Sequence, residues 1–417
     1  MKIFKFSKKT EEISNKAIKL CKEKFEEIEK VKEFNCQKVL NMFMKVGVSE
    51  SHFVPTTGYG YNDRGREKLD ELFAAVFKTE SALVRQGFLS GTHTLSTALF
   101  GILRPGDKIL SVTGDLYDTM KDVIEGENCG SLKDFGIKFE YINEEIGSSD
   151  YFKALKNKLK DNFKAIYIQR SRGYSLRKSL RIEEIEKIIS FSKENCPGII
   201  AVVDNCYGEF VQEKEPSEVG ADLIIGSLIK NPGGSIACSG GYIAGKNDLV
   251  ELCAHRFSAP GIGKEIGANL TGNRDIFMGI YNAATVVAEA LKTATFAAAV
   301  FELLGYEVFP KYFENRADIV QSVVLKNEKN LISFCQGIQS GSPIDSFVVP
   351  EPWDMPGYEN KVIMAAGNFI SGSSIELSAD GPLREPYAVW LQGGTCFYCA
   401  KIGIMKAAEK IIENKII

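Results

Sequence analysis

The chain has 417 residues, 44% of them hydrophobic and 25% charged, with a formal net charge of −3. That length suits two domains, or one large domain with an appendage, and the balance lacks the basic excess and aromatic-plus-basic interleaving that nucleic-acid binding would call for. No uninterrupted apolar run of about 18 residues reads as a membrane span, the basic start Met1 to Thr10 lacks the apolar core of a signal peptide, and the cysteines, with apolar neighbours at Cys21, Cys238 and Cys253, suit reduced thiols in a cytoplasmic protein.

Between Thr10 and Lys45 apolar residues recur at helical spacing, with Ile13, Ala17, Leu20, Phe25 and Ile28 on one stripe. This predicts one or two amphipathic helices that need a surface to cover, here taken as an arm over 1–52. A Gly- and Tyr-rich segment, Phe53 to Arg66, precedes a helix from Glu67 to Phe77. Ala82 to Arg85 reads as a strand, and Ser90-Gly-Thr-His93 opens a helix. Free backbone N–H groups at a helix start beside a glycine form an anion site, which makes Gly91 and Thr92 candidate phosphate ligands, although Ser-Gly-Thr is also a common N-cap. Lys108 to Thr113 is the next strand, followed by a turn with Tyr117 and a charged helix from Ser148 to Asn162. Strand Ala165 to Gln169 leads to Arg170 and Arg172, which stand open between anion binding and surface decoration. A helix from Ile182 to Cys196 follows.

Two short apolar strands then end in polar turns. Gly198 to Asp204 ends in a carboxylate, and Asp222 to Gly234 carries Lys230 at its lip. The carboxyl ends of buried parallel strands are where open α/β sheets place ligands. A lysine there, beside apolar residues, is expected to lose proton affinity and become a usable amine. A carboxylate at a neighbouring strand end can serve a coenzyme ring nitrogen. Taken alone, each has a plainer reading, Lys230 as a solvated lysine and Asp204 as a turn or cap residue.

Gly241 to Gly245 follows after a short loop and so should pair antiparallel. The alternation of strands and helices predicts an α/β large domain over 53–304 with a mostly parallel sheet. A Gly-rich polar stretch from Arg256 to Arg274 precedes a long helix from Phe277 to Leu304. Strands at Gly305 to Val308, Ile344 to Val349, Val362 to Phe369, Ile375 to Ser378 and Tyr387 to Leu391, with a last helix over Cys396 to Asn414, predict a smaller α+β domain over 305–417. Arg384, between two of those strands, offers the fork suited to an amino-acid carboxylate. Cys396 and Cys399 lack a second pair or closely spaced histidines, so no metal site is expected.

Taken together, Gly58-Tyr-Gly-Tyr-Asn-Asp-Arg-Gly65, Ser90 to His93, Gln169 to Tyr174, Asp204-Asn-Cys-Tyr207, Ser227-Leu-Ile-Lys230 and Ser378 to Tyr387 give the chain a family resemblance from Phe53 to its end. It resembles the pyridoxal-phosphate-dependent cysteine and methionine metabolism lyases of the aspartate aminotransferase fold group, and within them the methionine gamma-lyase-like branch of aluminium-resistance proteins. The resemblance implies a three-layer, fold type I architecture, pyridoxal 5'-phosphate as cofactor, a small amino-acid substrate, and a homo-oligomer, dimer or tetramer. It implies Lys230 as the Schiff-base lysine, Asp204 at the ring nitrogen, and Gly91, Thr92, His93 and Ser227 around the phosphate. Tyr117 would stack on the ring, with His93 as its rival, and Tyr59 or Arg64 would reach in from a partner subunit. Arg384 would hold the substrate carboxylate. The implied activity is carbon–sulfur lysis of methionine, cystathionine or a cysteine derivative. An aminotransferase, another amino-acid lyase, or a non-catalytic regulator or metal-tolerance protein on the same fold are the alternatives.

Overall fold

The computed structural model describes residues 3–355 and 359–414. Seven strands form one sheet: β1 (Ser81–Arg85), β2 (Lys108–Ser111), β3 (Lys138–Tyr141), β4 (Ala165–Gln169), β5 (Ile200–Asp204), β6 (Leu223–Ser227) and β7 (Gly241–Gly245), in the order β1-β7-β6-β5-β4-β2-β3. β3, β2, β4, β5 and β6 run parallel, and β7 lies antiparallel to both β6 and β1, as the short loop before it predicts.

Alternate strand residues serve opposite faces, as the pleat requires. Ile166, Ile168, Val203 and Ile224 point to one apolar layer with α2 (Arg64–Val76), α5 (Tyr151–Lys158), α6 (Ile182–Asn195) and the first part of α8 (Arg274–Leu303). Ala165, Tyr167, Val202 and Ile225 point to the other, with α3 (Gly91–Ile102), α4 (Asp118–Glu125) and α7 (Asn247–Phe257). Both faces are covered, which gives the three layers expected for a parallel sheet.

A second, antiparallel sheet follows: β8 (Glu307–Phe309), β9 (Gln321–Val324), β10 (Val362–Ala365), β11 (Ser378–Pro382) and β12 (Ala388–Gln392), in the order β10-β11-β12-β9-β8. Helices α9 (Glu328–Ser340) and α10 (Phe397–Asn414) cover one face. Helix α8 joins the two units. Its residues up to Leu291 belong to the core of the large sheet, and Phe296 to Phe301 belong to the core of the small one. It is long and apolar enough to cross a membrane by length and composition, yet most of its apolar stretch is packed inside the protein.

The N-terminal stripe is a single helix, α1 (Lys8–Val46), capped by the Ser7 hydroxyl and ended by Gly47 in the left-handed conformation. It runs antiparallel along α8: Phe43 meets Phe277 and Tyr281, and Glu29 pairs with Lys292.

Three expectations need correcting. Ile344 to Val349 is not a strand; Pro343 and Pro350 flank it, and Phe347 stands 84% exposed. The small sheet instead includes β9, a strand that the sequence pattern did not suggest. The strand expected to end at Ser378 instead runs from there to Pro382. Cys238 is exposed, whereas Cys21 and Cys253 are buried.

Candidate active site

The carboxyl ends of β4, β5 and β6 open into a cavity of about 260 Å³ roofed by the small sheet. The parallel register sets Gln169 of β4 beside Asp204 of β5. Lys230 follows three residues after β6, and its Nζ lies 4.2 Å from the centre of the Tyr207 ring. A tight backbone contact fixes this turn. A Cβ on Gly279 of α8 would come within 2.5 Å of the Gly233 carbonyl oxygen, so only glycine lets the turn rest on the helix.

Asp204 is buried, and its Oδ1 accepts a hydrogen bond from the Cys206 backbone N–H at 3.1 Å. Burial pushes its carboxyl up, and the nearby Lys230 ammonium pulls the other way. The expected drop in the proton affinity of Lys230 is not found. Burial does favour its neutral amine, but Cys206, Tyr207, Tyr117 and Asp204 face it and together hold the ammonium above the ordinary lysine range.

At the other end of the cavity α3 begins with Gly91, after Ser90 caps it by accepting from the His93 N–H at 3.1 Å. A Cβ on Gly91 would sit 3.5 Å from the Ser227 Cβ and 3.9 Å from Lys230 Nζ, so the helix start, β6 and the lysine converge. The Ser227 hydroxyl is buried and, among the described residues, without a partner. Thr92 Oγ1 lies 3.0 Å from the Tyr117 hydroxyl and 3.0 Å from Thr119 Oγ1. Tyr117 lines the cavity, its backbone N–H donates to Gln169 Oε1 at 3.1 Å, and burial raises its phenol so that it stays protonated. His93 is turned away, its Nδ1 accepting from the Leu89 N–H at 3.1 Å with its ring against Phe88.

Other anticipated residues lie outside the cavity of their own chain. Tyr59 and Tyr61 are 67% and 65% exposed, and Arg64 is exposed beside them. The buried arginine of that loop is Arg66, which donates to the carbonyls of Gly60, Glu265 and Gly267. Arg384 is exposed at the tip of the β11–β12 hairpin and does not line the cavity. Arg170 and Arg172 decorate no surface: both are buried struts, Arg170 donating to Asn205 Oδ1 at 2.7 Å and Arg172 to the Phe309 carbonyl at 3.0 Å. Among cavity residues that sequence reasoning missed are Gln169, Ser378, Asp380, Trp390 and Gln392, four of them supplied by the small sheet.

A sequence model of methionine gamma-lyase matches residues 10–412. The chain belongs to the methionine gamma-lyase family. This family member is 47% identical to the uncharacterized protein YnbB of Bacillus subtilis over 395 residues, 94% of each chain. It is similar to the crystal structure of a carbon-sulfur lyase involved in aluminum resistance from Clostridium novyi NT, with a TM-score of 0.93 and 48% identity over 97% of this chain and 96% of that one. A shorter match, 26% identical over 204 residues, or 49% of this chain and 46% of its relative, reaches a cystathionine gamma-synthase/O-acetylhomoserine (thiol)-lyase of Bacillus subtilis. The family is one of lyases, and its architecture is the large mixed sheet with a smaller C-terminal domain described above.

Proposed function

We propose that this protein is a pyridoxal-5'-phosphate-dependent carbon–sulfur lyase that releases a thiol from a sulfur amino acid. The observation that carries the reading is the meeting of Lys230, Asp204 and the start of α3 in one cavity. Family membership supports both the coenzyme and the lyase class.

The residues fit the coenzyme. The orphaned Ser227 hydroxyl and the N–H groups of Gly91 and Thr92 suit its phosphate. A buried carboxylate at Asp204 suits a cationic ring nitrogen, and Tyr117 supplies an aromatic face. When bound through Lys230, the coenzyme withdraws electrons from the substrate's α-carbon, which eases loss of the α-proton and of a β- or γ-substituent.

Around that chemistry the chain holds and moves protons. Asp204 would hold a proton on the ring nitrogen. Lys230, as a neutral amine, would accept the α-proton. Tyr117 fixes the tilt of the ring, and its phenol, positioned by Thr92, delivers a proton to the departing sulfur. We assign the protein to the cytoplasm and to a homo-oligomer in which Tyr59 or Arg64 of a neighbouring copy reaches the phosphate.

The test loads the protein with coenzyme and offers methionine, cystathionine and cysteine derivatives. Thiol, keto acid and ammonia are expected in equal amounts, and Lys230→Ala should yield none. Keto acid without ammonia or thiol would establish transamination instead. Failure to take up coenzyme would establish a non-catalytic role.

A further inference from the structure

The small-sheet wall of the cavity carries a carboxylate that the steps above do not use. Asp380 is 6% exposed. Its Oδ2 accepts from Gln392 Nε2 at 2.9 Å and Tyr174 also hydrogen-bonds the carboxylate, while its Oδ1 is buried with no hydrogen-bond partner among the described residues. Along β11 the side chains alternate, so Ala379 enters the small-sheet core and Ser378 and Asp380 face the cavity. The Ser378 hydroxyl is also buried and unpartnered among the described residues. Across the strands Met364 and Trp390 flank Asp380 in one row, and the Trp390 ring packs 5.2 Å from that of Tyr174. The indole N–H is already engaged by the Ser175 carbonyl at 3.3 Å.

A desolvated carboxylate with a free oxygen and an aromatic neighbour is a receptor for a cation. The coenzyme does not supply one here. On the lyase reading its phosphate would be held by Gly91, Thr92 and Ser227 and its ring nitrogen by Asp204, all residues of the large-sheet side. The substrate's own carboxylate would be repelled by Asp380, and its α-amine is committed to the coenzyme. With Lys230, whose charge also reaches Asp380, engaged at the coenzyme, what remains to reach this wall is the departing half of the substrate.

We infer that Asp380, with Ser378 and the Trp390 ring, forms a subsite for a protonated amine on the departing half of the substrate. The inference rests on the lyase reading. It narrows the substrate class to sulfur amino acids whose leaving thiol itself carries an amino group, and it makes Asp380 the residue that selects them over neutral thioethers. Burial pushes the Asp380 carboxyl up to about 6, against the hydrogen bonds of Gln392 and Tyr174 and the charge of Lys230, so it is ionised at neutral pH.

The experiment pairs molecules of matched shape. On coenzyme-loaded protein near pH 7.5, thiol release from S-(2-aminoethyl)-L-cysteine is compared with release from S-propyl-L-cysteine. Binding of L-lysine and L-2-aminoheptanoate, which have a methylene in place of sulfur and release no thiol, is measured by calorimetry. The aminated member of each pair should be preferred about tenfold or more, the scale of a charge-assisted hydrogen bond. Asp380→Asn, nearly isosteric and still able to pair with Gln392, should bring each ratio to within about twofold. Equal handling of the two members by the native protein, or a preference that survives in Asp380→Asn, overturns the subsite. The binding ratio decides this even if no thiol appears, in which case the lyase reading fails alone.

Discussion

Lys230 sits over the face of Tyr207, with its Nζ 4.2 Å from the ring centre, and Tyr207 is itself held at φ +69°. A non-glycine residue in the left-handed region is strained by roughly 1 kcal/mol or more. The turn after β5 keeps a bulky side chain there nonetheless, and the ring forms the floor beneath the amine. Tyr207→Phe should therefore keep near-native turnover, whereas Tyr207→Ala should lose about tenfold in kcat/KM through loss of a cation–π contact and of amine placement. Tyr207→Gly removes the same ring but relieves the backbone. It should melt no lower than the alanine variant while being at least as inactive. Equal activity of the alanine and native proteins would show that the ring does not position the lysine.

Asp204 is buried within reach of the field of Lys230, and in the proposed reaction its role is to keep a proton on the coenzyme ring. Asp204→Asn keeps the shape but not the charge. Coenzyme uptake should persist, with kcat reduced about a hundredfold, the cost of losing a preorganised charge that acts in the transition state. Absorbance titration gives uptake and steady-state kinetics gives kcat. A near-native kcat would reduce Asp204 to a structural role.

Behind the site, Glu209 is buried, with Oε1 accepting from the Tyr242 hydroxyl at 2.9 Å and Oε2 unpartnered among the described residues. Burial raises its carboxyl from 4.5 to about 8. The folded protein thus holds a proton that the unfolded chain releases above pH 4.5. The stabilisation is complete below pH 4.5 and is lost as pH rises towards 8. Glu209→Gln removes the titration, so between pH 5 and pH 8 it should gain up to about 4 kcal/mol relative to the native protein. Urea midpoints at the two pH values measure this. Parallel pH curves would mean that Glu209 is ionised in the fold.

The strand ends were legible in the sequence because apolar runs that stop at Asp204 and before Lys230 have few other places to go. The small-sheet side was not. Ending a strand at Ser378 leaves Asp380 in a turn and brings Arg384 to mind as the substrate's partner. The actual strand extends four residues further, so Asp380 inherits the cavity wall and Arg384 the exposed tip. The pairing of β11 with β10 and β12 decides this, and pairing is invisible to local pattern. Helix α9 was readable but overlooked: Leu331, Phe334, Cys335 and Ile338 recur at helical spacing behind an Asn327 cap. The proton affinity of Lys230 depends on Tyr117, Cys206 and Tyr207, which only the folded turns bring to it.

Tyr59 and Tyr61 lie exposed with their rings 5.4 Å apart, on a loop whose Tyr59 carbonyl accepts from the Gly267 N–H at 2.9 Å. Leu270, three residues beyond Gly267, is 72% exposed, and Leu89 at the mouth of α3 is 83% exposed. Apolar side chains left in water on neighbouring segments suit a face that a second copy covers. A two-fold arrangement would present this loop, with the exposed Arg64, to the other copy's site, so each site would be completed across the interface. Arg64→Ala should then weaken coenzyme affinity about tenfold, as loss of a charge-assisted phosphate contact would. Mixing it with Lys230→Ala supplies the decisive readout. One of the two sites in such a hybrid dimer would combine the intact lysine of one subunit with the intact arginine of the other. At coenzyme concentrations too low to fill the Arg64→Ala protein, the mixture should regain up to about a quarter of native activity, given random pairing of two subunit types and one restored site in each hybrid. A monomer at assay concentration, or no recovery after subunit exchange has been verified by mass, would place the whole site within one chain.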